Sequence, residues 1–405
     1  MVVPNTSRYW LPVSISLLLV GWGANQFASM LAFYQQAHGF SQITVTSMLG
    51  IYVAGLIPAL LMGGRFSDRM GRKGATIAAL GITLVASVAM IFGVYSAFMI
   101  FLGRFMAGVA TGIAMAAGTS WVKELSQAPW DLTASANSGA RRASLFTTAG
   151  FWLGPIASGL IANYAPAPEV LPYVVHIVLC VPLFFTLFKL PDLRAEATPA
   201  ASAEGPVERY AFAGGQQRFR RVVAPGAPWV FGAGTIGFAV VPSLLDLGEH
   251  ALIYSTAAVA LTLGFGVAVQ SLARKLDTPL SARATLVAIS ISLVGLILML
   301  VSAIFQLLWL GLIASSFLGA GYGLMLVAGL SETQRLSSPS SLGANTGKFY
   351  TLAYAGYLAP TVLAFLGLWF APLTLVVVVL LLAVLSMVQI GINSRRFLPA
   401  PLGVS

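Results

Sequence analysis

Few side chains in this sequence could do chemistry in an apolar setting, and Arg104 is the most unusual because it stands alone in a long apolar stretch. An arginine at the middle of a bilayer costs about 2.5–3.5 kcal/mol on insertion scales, so it usually faces the interior of a helix bundle. Two roles fit Arg104: a functional one in that interior, or hydrogen bonding to backbone carbonyl groups. If protons are moved, Asp246 is the best carboxylate and His176 the best imidazole to carry them.

A second pattern combines glycine, acid and base within ten residues, at Gly64, Asp68, Arg69, Gly71, Arg72 and Lys73. Gly71 allows a short turn to adopt a backbone angle that other residues resist. Asp68 can accept N–H groups at the start of a neighbouring helix and complement its dipole, which is worth about 0.3–1 kcal/mol. We expect the basic residues to anchor the turn to carboxylates or lipid headgroups.

A third pattern is the run Gly150-x-x-x-Gly154-Pro155-x-x-x-Gly159. Small residues at this spacing let two helices approach closely, and proline frees a carbonyl group and bends its helix. We expect this helix to pack closely against the predicted eighth helix.

Composition decides which elements must position these residues. Of the 405 residues, 58% are hydrophobic and only 8% are charged, whereas soluble domains contain about 25% charged residues. The chain is therefore expected to be an all-α integral membrane protein. Cys180, its single cysteine, cannot form an intrachain disulfide, and no spacing of ligands indicates a metal site or a cofactor.

A bilayer core of about 30 Å needs about 20 apolar residues in helical form. Charged and turn residues divide the chain into twelve predicted transmembrane helices, at residues 13–36, 42–66, 73–94, 96–123, 142–165, 171–190, 227–247, 252–275, 283–304, 307–332, 346–368 and 371–393. The first is expected to be retained and not cleaved as a signal peptide.

The basic residues fix the predicted orientation. With a cytoplasmic N-terminus, every Lys and Arg except Arg104 falls on the inner side, which satisfies the positive-inside rule and places both termini in the cytoplasm. The net charge of +10 then needs no nucleic-acid partner. We expect an inner-membrane, multi-pass protein in contact with membrane lipid.

The hydrophobic pattern fails near the middle of the chain. We predict a six-helix bundle over residues 1–193, a flexible cytoplasmic linker over 194–225, and a second six-helix bundle over 226–405. The basic cluster from Arg218 to Arg221 is expected to be solvated, with binding of anionic headgroups as the alternative.

The two halves repeat one another. Three glycines, Gly108, Gly112 and Gly118, recur 211 residues later as Gly319, Gly323 and Gly329. The pair at Asp68 recurs at Asp277, although there Ala273 replaces the glycine, so a second copy of the turn is degenerate. The sequence predicts two pseudo-symmetric bundles, an arrangement that supports alternating access around a central site.

The motif from Gly64 to Lys73 resembles G-x-x-x-D-R/K-x-G-R/K-R/K, the signature of the major facilitator superfamily. The segments 51–61 and 171–176 are similar to a bacterial branch of drug:proton antiporters with twelve helices. This resemblance implies that the turn latches the two halves in an outward-facing state, with Asp68 at the start of helix eleven near residues 345–347.

The same resemblance assigns further roles. Arg104-x-x-x-Gly108 resembles the helix-four motif, which the family ties to proton transfer. The pattern around Pro155 resembles the helix-five antiporter signature G-x-x-x-G-P-x-x-G-G, with Ser158 at the penultimate glycine, and implies export.

The family's site lies between helices one, four, seven and ten, which suggests as lining residues Asn25, Gln26, Tyr34, Thr235 and, from helix eleven, Tyr354. Many drug:proton antiporters carry a carboxylate in helix one, and this chain has none there. A permanently cationic substrate is therefore less favoured than a neutral or anionic one.

These patterns predict a monomeric, proton-driven exporter of a small organic compound that works by rocker-switch alternation. The first alternative is an uptake symporter or a facilitator for a sugar or another metabolite, although Asp131 stands where a sugar-porter signature would place an arginine, seven residues after Glu124. A membrane enzyme is opposed by the scattered histidines, and a channel by the duplicated halves.

Overall fold

The computed structural model describes residues 8–135, 137–191, 215–337 and 341–398, and every regular element within these ranges is helical. This confirms the all-α class. Eleven helices in this part of the chain are long and apolar enough to cross a membrane: Trp10–His38, Gln42–Val94, Ala97–Leu125, Ser138–Tyr164, Leu171–Phe188, Gly215–Ser243, Gly248–Leu276, Arg283–Phe305, Leu308–Arg335, Ala344–Leu366 and Pro372–Asn393.

The second of these helices is two crossings. Its 53 residues would span about 80 Å at 1.5 Å per residue, more than twice the hydrocarbon thickness. Gly71 interrupts it with φ 80° and ψ 157°, a conformation that is essentially restricted to glycine. We therefore divide the segment into α2 (residues 42–70) and α3 (residues 72–94) and number the others α1 and α4 to α12 in chain order, which agrees with the twelve predicted helices.

The chain divides into two compact units, an N-terminal unit of residues 1–203 and a C-terminal unit of residues 204–405. Helices α1 to α6 form the first, around a core that includes Leu17, Leu80 and Trp121. Helices α7 to α12 form the second, around Val230, Ile289 and Leu318. Because apolar runs in a bilayer must satisfy their backbone groups internally, helices are the elements that such runs can form.

Repeated glycines bring equivalent helices together in the two units. A methyl group on Gly108 would lie 2.0 Å from the carbonyl oxygen of Tyr52, and one on Gly319 would lie 2.0 Å from that of Thr262. Helix α4 thus approaches α2 as closely as α10 approaches α8. The predicted pseudo-symmetry is visible in this shared contact.

Helix α7 begins at Gly215, twelve residues before its predicted start. Residues 215–225, expected in the linker, are helical, while residues 194–214 of that predicted linker lie outside the described residues. Arg218 is fully buried, so the expectation of a solvated cluster is wrong for this residue. Arg220 and Arg221 are exposed, as expected.

Candidate functional site

The basic turn between α2 and α3 is tied to the ends of two other helices in the N-terminal unit. Arg72 forms an ion pair with Glu124 at the end of α4. Lys73 Nζ donates to the carbonyl oxygens of Phe188 at 2.9 Å and Leu190 at 2.7 Å. These carbonyls have no intrahelical donor because α6 ends at Phe188, and a cation there also complements the helix dipole.

Three other residues of the motif lie at the surface. Asp68 and Arg69 are exposed, as is Gly64. The contact of Asp68 with the start of helix eleven remains a prediction. What the turn does show is that one of its bases binds a carboxylate, as expected, while Lys73 binds carbonyl groups instead.

A second ion pair joins the loop between α4 and α5 to the first turns of α5. Arg142 Nη1 donates to Asp131 Oδ2 at 2.8 Å, and its guanidinium stacks 3.9 Å from the ring of Trp10. The hydrogen bond from Arg142 lowers the pKa of Asp131 below its ordinary value, with further help from Thr133.

The helix-five motif holds α5 against α1. A methyl group on Gly150 would lie 2.0 Å from the carbonyl oxygen of Leu18, and one on Gly154 would lie 2.6 Å from that of Trp22. The nearest neighbour of both glycines is therefore α1, and the expected packing against helix eight stays a prediction. Larger residues would separate the two helices, since the atoms in the way belong to the backbone.

Pro155 explains the position of Asn25. Proline has no N–H, so the carbonyl group of Phe151, four residues earlier, loses its helical donor. Asn25 Nδ2 donates to that carbonyl oxygen at 3.2 Å, and Ser29 Oγ donates to the Pro155 carbonyl at 2.7 Å. Polar side chains of α1 thus bind the backbone carbonyl groups of α5 around Pro155.

Arg104 is 1% exposed and bonds to carbonyl groups of two helices. Its Nη1 donates to Ala24 at 2.5 Å and its Nε to Met48 at 3.3 Å. The regular α-helix of α1 ends at Asn25 and a short 3-10 turn follows, which leaves the Ala24 carbonyl without its usual donor.

Aromatic rings complete the surroundings of this cation. The Arg104 guanidinium lies 5.1 Å from the ring centroid of Phe27 and 4.9 Å from that of Tyr52, distances at which ring faces attract a cation. Among the described residues no carboxylate forms an ion pair with Arg104. The carbonyl-bonding alternative is therefore observed, and it leaves the positive charge uncompensated.

A buried chain of polar side chains runs beside Arg104. His176 Nε2 lies 2.8 Å from the Leu19 carbonyl oxygen, which can only accept, so this nitrogen carries the proton in the neutral ring. Nδ1 then accepts from Ser87 Oγ at 2.8 Å. Ser87 Oγ in turn accepts from Gln26 Nε2 at 3.2 Å.

The chain ends at a small cavity in the N-terminal unit. Gln26, Ser87 and Arg104 all line it, and its volume is about 10 Å³, which is room for about one water molecule. The Oε1 atom of Gln26 is buried and accepts no hydrogen bond from the described residues. The structure thus joins three predicted residues, His176, Gln26 and Arg104, in one polar cluster.

Ser87 is the member of this cluster that sequence reasoning missed. It follows Thr83 by four residues on α3, so the two hydroxyls share one helix face, and both are fully buried. Such a pair in an apolar span was the available signal. Tyr173 was also missed: its hydroxyl lies 3.1 Å from that of Tyr34, the predicted cavity residue.

The predicted residues of the C-terminal unit have separate surroundings. Thr235 is buried and its hydroxyl donates to the Phe231 carbonyl of its own helix at 2.9 Å. Tyr354 stacks on the Phe231 ring at 4.3 Å. Asp246 is exposed in the loop after α7, where its backbone N–H donates to Gln306 Oε1 at 2.9 Å.

Equivalent helices use equivalent contacts here as well. Ser315 follows Arg104 by the same offset of 211 residues, and its hydroxyl donates to the Gly237 carbonyl of α7 at 2.7 Å. In each unit, then, the side chain at this position of α4 or α10 bonds to a carbonyl group of α1 or α7. Both α4 and α7 also contain π-helical turns, at Ala114–Gly118 and Ile236–Val240, which are frequent at functional sites.

Comparisons with known proteins agree with this architecture. The family model described as Major Facilitator Superfamily matches residues 13–361. The Multidrug resistance protein MdtL of Klebsiella pneumoniae is 30% identical over 106 residues. That match covers 26% of this chain and 27% of MdtL, so the chain spans about a quarter of that relative's length.

Solved transporter structures share the fold at low identity. A POT family transporter in complex with 5-aminolevulinic acid has a TM-score of 0.79 at 11% identity, over 98% of this chain and 99% of that one. The nucleoside transporter NupG has a TM-score of 0.70 at 12% identity, over 95% and 99%. The xylose transporter XylE from E. coli has a TM-score of 0.68 at 13% identity, over 98% and 97%.

Proposed function

Since this chain belongs to the Major Facilitator Superfamily and is a membrane transporter, we propose that it exports a small organic compound across the inner membrane in exchange for protons. Transport proceeds by alternating access, with both termini in the cytoplasm. The observation that carries the proposal is the buried polar cluster of Gln26, Ser87, Arg104 and His176 in the N-terminal unit.

His176 is the proton carrier in this proposal. Of the three histidines, it alone is fully buried. A second proton on Nδ1 turns this atom from an acceptor into a donor, so Ser87 must accept from it and donate elsewhere. Gln26 Oε1 is the acceptor in reach once the amide turns over, because it now has no hydrogen-bond partner among the described residues. Protonation of His176 therefore reorients Gln26.

This reorientation of Gln26 takes place where the regular α-helix of α1 ends. Gln26 follows the end of the regular α-helix, and the neighbouring Ala24 carbonyl is held by Arg104. A proton on His176 adds a positive charge near the uncompensated charge of Arg104, and in a low-dielectric interior the two repel strongly. An anionic or polar group of a compound bound next to this cluster would relieve the repulsion, which links substrate binding to the proton.

Export is the favoured direction for two reasons. MdtL, with which a quarter of the chain aligns, is named a multidrug resistance protein, and the α5 motif resembles the antiporter signature. Gly150 and Gly154 hold α5 against Leu18 and Trp22 of α1, next to the hydrogen bond from Asn25 to the Phe151 carbonyl oxygen. A movement of α1 that follows Gln26 is thereby passed to α5.

The C-terminal unit supports a substrate with an aromatic or apolar part. Phe231 packs against the rings of Tyr322, Tyr354 and Tyr357 at centroid distances of 5.8, 4.3 and 6.4 Å. Such rings offer apolar faces and hydroxyl groups together. A neutral or anionic aromatic compound fits these surroundings better than a cation, which would need a carboxylate.

Uptake or facilitated diffusion of a metabolite is the second candidate function. It is favoured by the lack of an ion pair between Arg104 and any carboxylate of the described residues, since a facilitator needs no proton carrier. The xylose transporter XylE shows that the fold also serves sugars.

Inverted membrane vesicles that contain the chain distinguish these functions. A pH gradient is formed first and reported by a weak-base dye, and dyes, antibiotics, aromatic acids and sugars are then added one at a time. Proton antiport predicts that at least one compound collapses the gradient in these vesicles and not in vesicles without the chain. A labelled metabolite that equilibrates while no compound affects the gradient would favour the facilitator.

Two substitutions test the proton carrier with the active compound. Ser87→Ala and His176→Leu should abolish the compound-dependent proton flux. His250→Leu removes an exposed histidine and is the matched control. If His176→Leu folds and still couples at the normal rate, the assignment of His176 is wrong, whereas antiport itself can stand.

A further inference from the structure

A groove of about 770 Å³ lies in the C-terminal unit, between α9 and α12. One end is polar and is lined by Ser281, Arg283, Ser394, Arg395 and Arg396. This end lies where α9 begins and α12 ends, the side that the basic residues assign to the cytoplasm.

The three arginines of this end have no acidic partner among the described residues. The nearby acids of the unit are already engaged, since Asp277 pairs with Arg335 and Glu332 pairs with both Arg335 and Arg218. The groove therefore has a net positive end with no internal counter-ion.

Arg283 is held in place at the mouth of the groove. Its Nε donates to the Leu276 carbonyl oxygen at 3.0 Å, which leaves the terminal nitrogens of the guanidinium for another acceptor. Arg395 and Arg396 are exposed on the opposite side, at the end of α12. The N–H donors of a guanidinium group match the oxygens of a phosphate group in geometry and charge.

The rest of the groove is apolar. Its wall is formed by Leu286, Val287, Ile291 and Val294 of α9 and by Ile392 of α12. Ser290 is also part of this wall, but its hydroxyl donates to Met387 Sδ at 3.6 Å. Val294 and Ile392 are 42% and 58% exposed, so the wall is open to the surrounding hydrocarbon.

The length of the groove matches one leaflet. Val294 follows Arg283 by eleven residues, which is about 16 Å along a helix axis, and half of the hydrocarbon core is about 15 Å. A charged end at the membrane surface followed by an apolar wall to the bilayer centre is the shape of one phospholipid.

We propose that this groove binds an anionic phospholipid, such as phosphatidylglycerol, from the leaflet on the basic side of the membrane. The headgroup phosphate sits between Arg283, Arg395 and Arg396, and one acyl chain lies along the α9 wall. A polypeptide segment suits the apolar wall less well, because its backbone groups would find no hydrogen-bond partners there.

Photo-cross-linking of the full chain in nanodiscs tests this site. The discs contain phosphatidylcholine with a small fraction of phosphatidylglycerol that carries a photoreactive group in its acyl chain, and the labelled peptides are mapped by mass spectrometry. The labels should concentrate on residues 286–294 and 391–392. Unlabelled phosphatidylglycerol should compete, and phosphatidylcholine should not.

Charge-matched triple variants decide whether the headgroup is recognised. Replacement of Arg283, Arg395 and Arg396 by Gln should weaken the binding about fivefold per arginine, or about 1 kcal/mol each. The control replaces Arg220, Arg274 and Lys275 by Gln, which removes the same charge from exposed positions outside the groove and should leave the labelling unchanged. Both variants must match the parent chain in size-exclusion profile and melting temperature.

Three results would overturn the proposal. An equal loss of phosphatidylglycerol labelling in the two triple variants would indicate a diffuse electrostatic effect. Equal labelling by a photoreactive phosphatidylcholine would indicate bulk lipid with no headgroup site. Labelling that appears only after deletion of residues 399–405 would assign the groove to the end of the chain itself.

Discussion

Replacing Glu332 by leucine should destabilise the C-terminal unit strongly, because it leaves a buried arginine without its counter-ion. Glu332 is 3% exposed and pairs with Arg218, whose side chain is fully buried. Among the described residues, Arg218 would keep its bonds to the carbonyl oxygens of Ser394 and Arg396, at 3.2 and 2.8 Å, and no others. Its Nη2 is already buried without a partner among the described residues.

The size of the effect follows from the burial of each partner. Removal of one member of a buried ion pair costs about 3–5 kcal/mol. Arg335, the second partner of Glu332, adds little to this cost. It is 20% exposed and keeps its ion pair with Asp277 at 2.6 Å. Loss of such a partly exposed pair costs at most about 1 kcal/mol. Most of the cost therefore arises at Arg218.

Equilibrium unfolding in mixed detergent micelles, followed by circular dichroism, measures this cost. Glu332→Leu should lower the free energy of unfolding by about 3–5 kcal/mol. Asp277→Asn, the matched control, should lower it by about 1 kcal/mol. The double variant Glu332→Leu with Arg218→Met should recover most of the loss, because it removes both buried charges together.

The double variant is also the result that can refute the reasoning. If it is as unstable as Glu332→Leu alone, the loss comes from packing and not from an uncompensated charge. A loss below about 1 kcal/mol in Glu332→Leu would show that water reaches Arg218 and that the pair is not buried.

Three further predictions concern the N-terminal unit. Asp68→Asn should leave insertion unchanged but slow transport several-fold, since a helix-dipole contact is worth about 1 kcal/mol; an unchanged rate would exclude the latch. Gly150→Ala should cost about 1–3 kcal/mol in unfolding, whereas Gly74→Ala, whose nearest neighbour would lie at 3.6 Å, should cost nothing. The lowered pKa of Asp131 means that its contribution exists above the unfolded value of about 4 and is lost as the pH falls through the folded value. The melting temperature of the parent chain should therefore exceed that of Asp131→Asn at pH 6, and the difference should vanish in strong acid.

The class of fold followed from composition, and the unusual backbone of Gly71 followed from the turn that contains it. The early start of α7 could not be predicted from the sequence. The segment around Arg218 is as charged as a linker, and its partner Glu332 lies 114 residues away. A linear pattern cannot reveal a counter-ion that only tertiary structure supplies.

The candidate site was likewise predicted only in part from the sequence. In the sequence, Pro155 predicts a carbonyl group without its helical donor, and Arg104 predicts a buried charge. The groups that satisfy them, Asn25 for the first and the Ala24 carbonyl for the second, depend on how α1 packs and where it breaks. Only the structure joins His176 to Gln26 through Ser87.

Transport by the purified chain in liposomes tests the central claim most directly. The compound that collapses the gradient in vesicles is supplied in labelled form outside liposomes whose lumen is one pH unit more acidic than the medium. With the membrane potential held at zero by valinomycin and equal potassium on both sides, proton antiport predicts accumulation inside, up to about tenfold for one-for-one exchange. Accumulation only when the lumen is alkaline would establish symport, and equilibration without accumulation under either gradient would establish a facilitator; each would contradict the proposed exchange.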